Sequence, residues 1–370
     1  RYVLRTLRTQ DNDMAYTTVA KPSDHFEVDL YAGSGSTTTI SGIGFKPDLI
    51  WTKNRTDDAN WNVVDSTRGN TKNFRSNDNT AESTATKVAS FTADGLTLTG
   101  GVLETNTASD YYLQNLWKAN GGTTATNTTG SINATVQANT TAGFSIATYT
   151  GSGSNATIGH GLGVAPKMIW VKRRSDTENT QVYWKDDYQG INETDYMELA
   201  TTAAQADDAT RWNDTAATTS VFSIGTHASV NASSSTYVAY CFAQVKGFSH
   251  FGHHYGNSDE PQSAFCYCGF RPKFVMIKAN SEAQSWIVHT SKQGLIKKDG
   301  SAGFFGNRFD GHLLANTNAQ EGNKDIILYS TGFQLPEAHG EHNANDYKYV
   351  WVAFAEHPIV GTNGTIALAV

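Results

Sequence analysis

Apolar and polar positions along this chain follow a pattern that occurs three times. A proline is followed by a short apolar run and then by a lysine, in KPDLIWTK, APKMIWVK and RPKFVMIK, with the prolines at Pro47, Pro166 and Pro272. The third and fifth residues after each proline are β-branched, and the second and fourth are bulky and apolar. Because successive strand residues point to opposite faces, this pattern predicts a central strand that is packed on both faces.

Three more signatures recur in the same order after each proline. A valine lies sixteen residues after it, a run of the type GLTL, VFSI or GFQL comes next, and an asparagine then precedes a tyrosine by six residues. An aromatic residue follows that tyrosine by five positions. Four ordered signatures repeated three times do not arise from composition, so we interpret the chain as three homologous copies. The closing signature comprises Asn106, Tyr112 and Trp117; Asn231, Tyr237 and Phe242; Asn343, Tyr349 and Phe354.

The spacing of the copies indicates the fold class. The three prolines are 119 and 106 residues apart, which is the size of one β-sandwich domain rather than of a solenoid repeat. The abundance of Thr, Asn, Ser and Gly also favours strands and polar turns over helices. We therefore predict an all-β protein with three tandem homologous β-sandwich-like domains, arranged in a row.

Composition suggests where the copies begin and end. Residues 121–140 are rich in Thr, Asn and Gly and poor in core-forming side chains, so we predict a linker there and expect the first junction to be looser than the second. The predicted segments are an upstream or non-native extension at 1–13, β repeat 1 at 14–120, the linker at 121–140, β repeat 2 at 141–246, β repeat 3 at 247–358 and a C-terminal tail at 359–370.

Charge and composition narrow the class of function. The formal charge of −7 argues against a nucleic-acid binder, which needs a basic surface to match the phosphate charge. No apolar run approaches the length of a membrane-spanning helix, and the N-terminal residues have no apolar signal core, so we expect no membrane insertion. The three cysteines, Cys241, Cys266 and Cys268, are too few for a disulfide framework and are interpreted as buried free thiols.

Two histidine clusters are the candidates for a site. HFGHH contains His250, His253 and His254, and HGEH contains His339 and His342. Neighbouring imidazoles can share a transition metal, but both clusters lie in polar, glycine-bearing stretches that we interpret as loops. The sequence has no nucleophile elbow, metalloprotease motif or phosphate loop, so we predict no catalytic residue, no cofactor and no resident metal, with these five histidines as the candidates for metal binding.

The recurring lysines and asparagines have a structural interpretation. Lys53, Lys172 and Lys278 each end an apolar strand face, where we expect the ammonium group to extend into water; a ligand shared by the three lysines is the alternative. The recurring asparagine is expected to hydrogen-bond to the backbone of a turn.

Several stretches of the chain resemble a known family. MAYTTVAKPSDHFEVDLYAGSGS, GIGFKPDLIWTKNR, GFSIATYTGSGSNATIGHGLGVAPKMIWVKRR and YVWVAFAEHP are similar to repeat-containing tail-fibre-like and virion structural proteins of tailed bacteriophages, of the cyanophage and marine-phage type. The resemblance extends over about residues 14–358. It implies a non-enzymatic component of the virion surface, a tail fibre or appendage that attaches to the host and is assembled in the host cytoplasm. It also implies a homotrimer, with other virion proteins as partners and a host surface glycan as a candidate ligand.

Three alternatives stay open on the sequence alone: a head decoration or fibre protein, a glycan-degrading tailspike and a carbohydrate-binding module. Features that differ between the copies are where function is expected, because shared features serve the common scaffold. The two histidine clusters of the third copy and the long insert after Trp184 in the second are therefore the first places to examine.

Overall fold

Strands make up most of the fold. The computed structural model of the protein describes residues 17–186, 191, 193–259, 263–293, 297–301 and 306–357. Strand accounts for 42% and helix for 3% of the structure, which confirms the prediction of an all-β protein with short helices. The strands form several separate sheets. The predicted extension at 1–13 and tail at 359–370 lie outside the described residues. No helix in the described part is long and apolar enough to cross a membrane.

The strands of the first copy form two antiparallel sheets. They are β1 (Phe26–Ala32), β2 (Thr38–Ser41), β3 (Leu49–Asn54), β4 (Asn62–Asp65), β5 (Lys72–Phe74), β6 (Ser83–Thr84), β7 (Val88–Thr92), β8 (Gly95–Leu98) and β9 (Tyr111–Trp117), preceded by a 3-10 helix at Pro22–Asp24. The larger sheet has the order β1-β9-β3-β4-β5-β6, and the smaller sheet has the order β2-β8-β7.

The second copy also has a larger and a smaller sheet. Its strands are β10 (Ala125–Asn127), β11 (Ala134–Asn139), β12 (Phe144–Thr150), β13 (Ala156–Gly159), β14 (Met168–Arg173), β15 (Gln181–Trp184), β16 (Asp195–Glu198), β17 (Ala206–Asp207), β18 (Val221–Ile224) and β19 (Thr236–Phe242), and its helices are α1 (Ala209–Trp212) and α2 (Ala228–Asn231). The larger sheet has the order β10-β11-β12-β19-β14-β15-β16-β17, and β13 pairs with β18.

The third copy repeats this arrangement. Its strands are β20 (Ser249–Tyr255), β21 (Phe265–Tyr267), β22 (Pro272–Ala279), β23 (Ile287–Thr290), β24 (Arg308–Phe309), β25 (Leu313–Leu314), β26 (Ile326–Tyr329), β27 (Gly332–Gln334) and β28 (Lys348–Ala355). The larger sheet has the order β20-β28-β22-β23-β25, and the smaller sheet has the order β21-β27-β26-β24.

One order of four strands is common to the three larger sheets. It is β1-β9-β3-β4 in the first copy, β12-β19-β14-β15 in the second and β20-β28-β22-β23 in the third. The register is also the same, because the closing aromatic residue always lies opposite the second residue after the proline: Trp117 opposite Leu49, Phe242 opposite Met168 and Phe354 opposite Phe274. The three copies therefore share one sheet topology.

The strand after each proline is buried on both faces, as the alternation predicts. Its β-branched face packs into a core that belongs to one copy alone: Ile50 in the first, Ile169 in the second and Val275 in the third. The opposite face, which carries Trp51 in the first copy, belongs to a different and larger core. Each of these strands therefore separates two cores.

The larger core is shared by all three copies and is rich in aromatic side chains. Trp117 of the first copy lies with its ring centroid 5.9 Å from that of Phe242 in the second copy and 6.0 Å from that of Phe274 in the third. Trp51 makes an edge contact with Trp170 at 5.3 Å. Aromatic pairs at such distances add to the stabilisation that burial alone provides. The larger sheets thus pack against one another around a common centre.

This packing closes the three copies into a ring, so the expectation of a linear row is wrong. Arg55 of the first copy pairs with Glu321 of the third across a buried contact. The indole of Trp61, also in the first copy, donates to the Leu314 carbonyl of the third at 2.9 Å. The sequence pattern showed that the proline strand has two apolar faces, but it did not show that one of these faces packs against other copies.

The segment at 121–140, predicted as a linker, contains two strands. β11 pairs with the opening strand β12, and β10 pairs with β11, so both extend the larger sheet of the second copy. In β11 the side chains of Ala134 and Val136 are buried. Period-two alternation is thus present in ATVQAN, but the polar composition of the surrounding residues concealed it.

The opening strand of the third copy, β20, begins at Ser249. Ser249 lies opposite Phe354, in the register in which Phe26 lies opposite Trp117. Phe248, which is aromatic like Phe26, therefore lies one position before the register equivalent of Phe26. In this register His250 is the counterpart of Glu27, since they lie opposite Ala353 and Leu116.

Candidate functional site

The junctions between copies are built from residues at equivalent positions. The eighth residue after the proline is Arg55 in the first copy and Arg174 in the second. Arg55 Nε donates to Glu321 Oε2 at 2.7 Å, and Arg174 Nε donates to Glu82 Oε2 at 2.8 Å. In both pairs the amide of the glutamate also donates to the carbonyl of the arginine at 3.0 Å. Each pair joins two copies.

The third junction has the same geometry without the charges. Asn280, the eighth residue after Pro272, donates from Nδ2 to Gln205 Oε1 of the second copy at 2.8 Å. The Gln205 amide donates to the Asn280 carbonyl at 2.9 Å. A neutral amide pair therefore occupies the place of the two arginine–glutamate pairs.

The recurring lysines also lie at these junctions. Lys53, Lys172 and Lys278 are each 0% exposed, so the expectation that their ammonium groups extend into water is wrong. Each ammonium group donates to one carbonyl of its own copy and one of another copy. The acceptors are the carbonyls of Asn54 and Asn318 for Lys53, of Glu178 and Asn79 for Lys172, and of Gln284 and Thr202 for Lys278.

Burial makes the charged form of these lysines less favourable. It lowers the pKa of Lys53 and of Lys172 to about 8 and the pKa of Lys278 to about 7. The strand end that carries each lysine faces another copy rather than solvent, which is why the expected snorkelling does not occur. The carbonyl contacts give these lysines a structural task in joining the copies.

The recurring asparagines bond to the backbone of turns, as predicted. Asn106 accepts from the Ser34 amide at 2.8 Å and donates to the Ser36 carbonyl at 2.7 Å. Asn231 accepts from the Ser152 amide, also at 2.8 Å. These contacts attach the glycine-bearing turn after the opening strand to the segment before the closing strand. The asparagines therefore serve the scaffold.

The HFGHH cluster lies on strand β20 and not in a loop. His250 stacks on Trp351 with ring centroids 5.3 Å apart, and His253 Nδ1 lies 2.7 Å from Asp186 Oδ2 in the second copy. His254 is buried, and burial lowers its pKa to about 4. His253 and His254 are adjacent on the strand and point to opposite faces, so these two imidazoles lie in different surroundings.

The HGEH cluster lies in a turn. His339 Nδ1 contacts the Glu341 carboxylate, and His342 is buried with its Nε2 3.1 Å from the Glu337 carbonyl. The His342 ring lies 6.1 Å from that of His289.

Sequence reasoning did not identify the neighbours of His342. His289 and His312 have ring centroids 6.2 Å apart, and burial lowers the pKa of each to about 3. They are single histidines far apart in the chain, so no local motif marks them. Within the ranges that the structure describes, no group of three or more His, Cys, Asp or Glu side chains has the geometry to hold a metal ion.

The cysteines are buried free thiols, as predicted. Burial raises the pKa of Cys241 and of Cys268 to about 12, and it raises the pKa of Cys266 well above its ordinary value. Because the thiolate is the reactive form, these three side chains are not activated nucleophiles.

An open cleft of about 360 Å³ lies between the second and third copies. Lys167, Lys185 and Asp186 line it on the side of the second copy, and His250 and His253 line it on the side of the third. The cleft therefore brings together part of the HFGHH cluster and the start of the insert after Trp184. These are two of the three places that the sequence marked for examination.

Aromatic side chains form the floor and the rim of this cleft. The Trp351 ring lies over Gly252, where an added Cβ would come within 2.3 Å of the indole, so only glycine leaves room for it. Phe265 and Tyr267, on the edge strand β21, line the cleft and are 48% and 59% exposed. An exposed ring beside polar groups suits a ligand that has both an apolar face and hydrogen-bonding groups.

The architecture defines a class of protein, an all-β ring of three copies around one shared core. The chain belongs to the family described as a domain of unknown function (DUF7483), whose model matches residues 21–358. That match spans all three copies, so the family unit is the whole ring rather than one repeat. Searches of curated proteins and of solved structures gave no significant match.

Proposed function

We propose that this protein is a non-enzymatic structural component of a tailed-phage virion, a tail fibre or surface appendage that contacts the host surface. The observation that carries the proposal is the closed ring, whose three copies share one core and are joined by buried contacts. A ring of three homologous copies suits the end of a trimeric fibre shaft. The resemblance over about residues 14–358 supports the same reading.

We also propose that each copy is a β-sandwich domain. In each copy the larger and the smaller sheet both contribute side chains to the core that belongs to that copy alone. We call this core the private core of the copy. The three private cores lie outside the shared core.

A homotrimer on the virion surface, assembled in the host cytoplasm with other virion proteins, is the proposed form. The alternative is a monomer, in which the three copies within one chain take the place of three separate chains. Mass photometry of the purified protein separates the two, because a trimer has three times the mass of the 40.1 kDa chain.

Location on the particle tests the main proposal. Mass spectrometry of purified virions is expected to detect peptides of this chain in stoichiometric amounts, and an electron-microscopy map is expected to place it on the tail. Absence from intact particles would contradict the proposal. Density on the capsid would instead favour a head decoration protein.

A carbohydrate-binding module is the second candidate function, and the cleft beside Tyr267 is the observation that favours it. A glycan-degrading tailspike needs in addition a pair of carboxyl groups across the sugar. Release of reducing sugar from host envelope polysaccharide by the purified protein would favour the tailspike.

A further inference from the structure

Each copy presents an edge of its larger sheet to the start of the proline strand of another copy. At the sheet edge, Glu27 of the first copy and His250 of the third hold equivalent register positions, because each lies opposite the residue before the closing aromatic residue. At the strand start, the residue after the proline is Asp48, Lys167 or Lys273. The three junctions can therefore be compared position by position.

Between the first and third copies an ion pair occupies this place. Lys273 Nζ lies 2.7 Å from Glu27 Oε2, and the side chains are 6% and 15% exposed. The geometry of this junction thus accommodates a carboxylate beside the lysine that follows the proline.

Between the first and second copies, residues of strand β11 occupy the equivalent place. Gln137 on β11 donates to Ser66 Oγ at 2.8 Å, and Ser66 Oγ in turn donates to Asp48 Oδ1. Gln137 also accepts from the Gly122 amide at 3.1 Å. Polar contacts from β11 and the segment before it therefore cover this junction.

Between the second and third copies, the position equivalent to the Lys273–Glu27 ion pair is open. His250 stands where the first copy has Glu27, and Lys167 stands where the third has Lys273, so no glutamate extends from the sheet edge toward this lysine. Within the described residues Lys167 takes part in no ion pair, whereas Lys185 pairs with Glu193 at 2.9 Å. The open volume is the cleft of about 360 Å³, within the roughly 300–1,000 Å³ range of small-molecule sites.

We propose that this cleft binds a carboxylate-bearing saccharide, with the carboxylate at Lys167 in the position that Glu27 takes at Lys273. The exposed rings of Phe265 and Tyr267 receive the apolar face of a sugar ring, and His250 bonds to a hydroxyl group. Asp186, which also lines the cleft, directs its carboxylate toward His253, with Oδ2 2.7 Å from Nδ1. The inference deepens the proposed host contact and rests on it for its biological meaning.

Calorimetric titration of the full chain tests this site. The probes are trigalacturonate, an alginate trimer and 3′-sialyllactose, with maltotriose and lactose as neutral counterparts. At least one acidic probe is expected to bind more tightly than its neutral counterpart. Lys167→Gln is expected to weaken that binding at least about tenfold, because a hydrogen bond to a charged group contributes that much.

Matched variants separate the cleft from the rest of the surface. Tyr267→Ala is expected to weaken binding several-fold, whereas Tyr255→Ala is expected to leave it unchanged, because Tyr255 is a 54% exposed tyrosine of the same copy that does not line the cleft. Lys21→Ala, at a 62% exposed lysine of the first copy, is the charge control.

Two results would overturn the inference: no binding of any acidic probe, or binding that Lys167→Gln and Tyr267→Ala leave intact. Virion mass spectrometry is independent of both results. If the chain is detected on particles but binds no acidic saccharide in the cleft, the proposed function is retained and only this site is rejected.

Discussion

The junction of the first copy with the third and that of the second with the third occupy equivalent places but differ in chemistry. The former is closed by Arg55 with Glu321 and by Lys273 with Glu27, all with side chains at most 15% exposed. The latter has the neutral pair of Asn280 and Gln205 in place of the first and an open cleft in place of the second. The amide-to-carbonyl hydrogen bond between the paired residues is present in both junctions, so it forms with a charged or a neutral pair. Junctions with the same backbone contact can therefore carry different polar side chains, and one is closed where the other is open.

The largest expected effect on stability comes from the shared core, and it tests whether the three copies unfold as one unit. Trp117→Ala removes an indole that contacts aromatic rings of all three copies and is expected to lower the free energy of unfolding by about 3–5 kcal/mol. Hydrogen exchange is expected to rise in all three copies, because they share that core.

Trp212→Ala is the matched control, since Trp212 is buried in the private core of the second copy. Its exchange increase is expected to stay within that copy. If Trp117→Ala raised exchange in the first copy only, the shared core would not couple the copies.

An intermediate effect on stability is expected when the charged pair of one junction is replaced by the neutral pair of the other. Glu321→Gln leaves the Arg55 guanidinium buried without its carboxylate, and Arg55→Asn leaves the Glu321 carboxylate without its cation; each is expected to cost about 3 kcal/mol. The double variant reproduces the pair found at Asn280 and Gln205, so its cost is expected to be smaller than the sum of the single costs. Urea unfolding of the four proteins measures the coupling.

The reverse replacement, Asn280→Arg with Gln205→Glu, places a charged pair at the junction that has the neutral pair. It is expected to be tolerated better than Asn280→Arg alone. Additive costs in both cycles would show that the partners do not interact across the copies.

The smallest expected effect is a pH dependence of stability from the buried lysines. The folded pKa of Lys278 is about 7, below its ordinary value of 10.5. The unfolded state therefore binds more protons than the folded state between these two values, and stability is expected to rise with pH across that window. Lys278→Met is expected to reduce the rise between pH 7 and pH 9 by on the order of 1 kcal/mol.

Unfolding by urea at pH 7 and pH 9 checks this prediction. Lys72→Met, at a partly exposed lysine on β5, is the control and is expected to leave the rise unchanged. An equal rise in wild type and Lys278→Met would show that the lysine does not carry the effect.

Much of each copy was predictable because its signals are local. The period-two alternation after Pro47, Pro166 and Pro272 predicted strands with two buried faces, and all three are buried as expected. That the recurring asparagines bond to turn backbone was also predictable from their residue type, but the turns they reach lie 70 or more residues away in the sequence and were not predictable. The candidate site was predictable only in part, since the sequence marked the HFGHH cluster and the insert after Trp184 without relating them.

The sequence by itself determined the all-β class, the threefold repetition and the packed strand of each copy, because these follow from the residues of one strand and its turns. Only the tertiary structure decided that the second apolar face belongs to a core shared by all copies, which closes the row into a ring and buries Lys53, Lys172 and Lys278. It also decided that Lys167 and His250 face one cleft. The physical reason is that such contacts join residues far apart in the chain, and their formation depends on packing that no local pattern encodes.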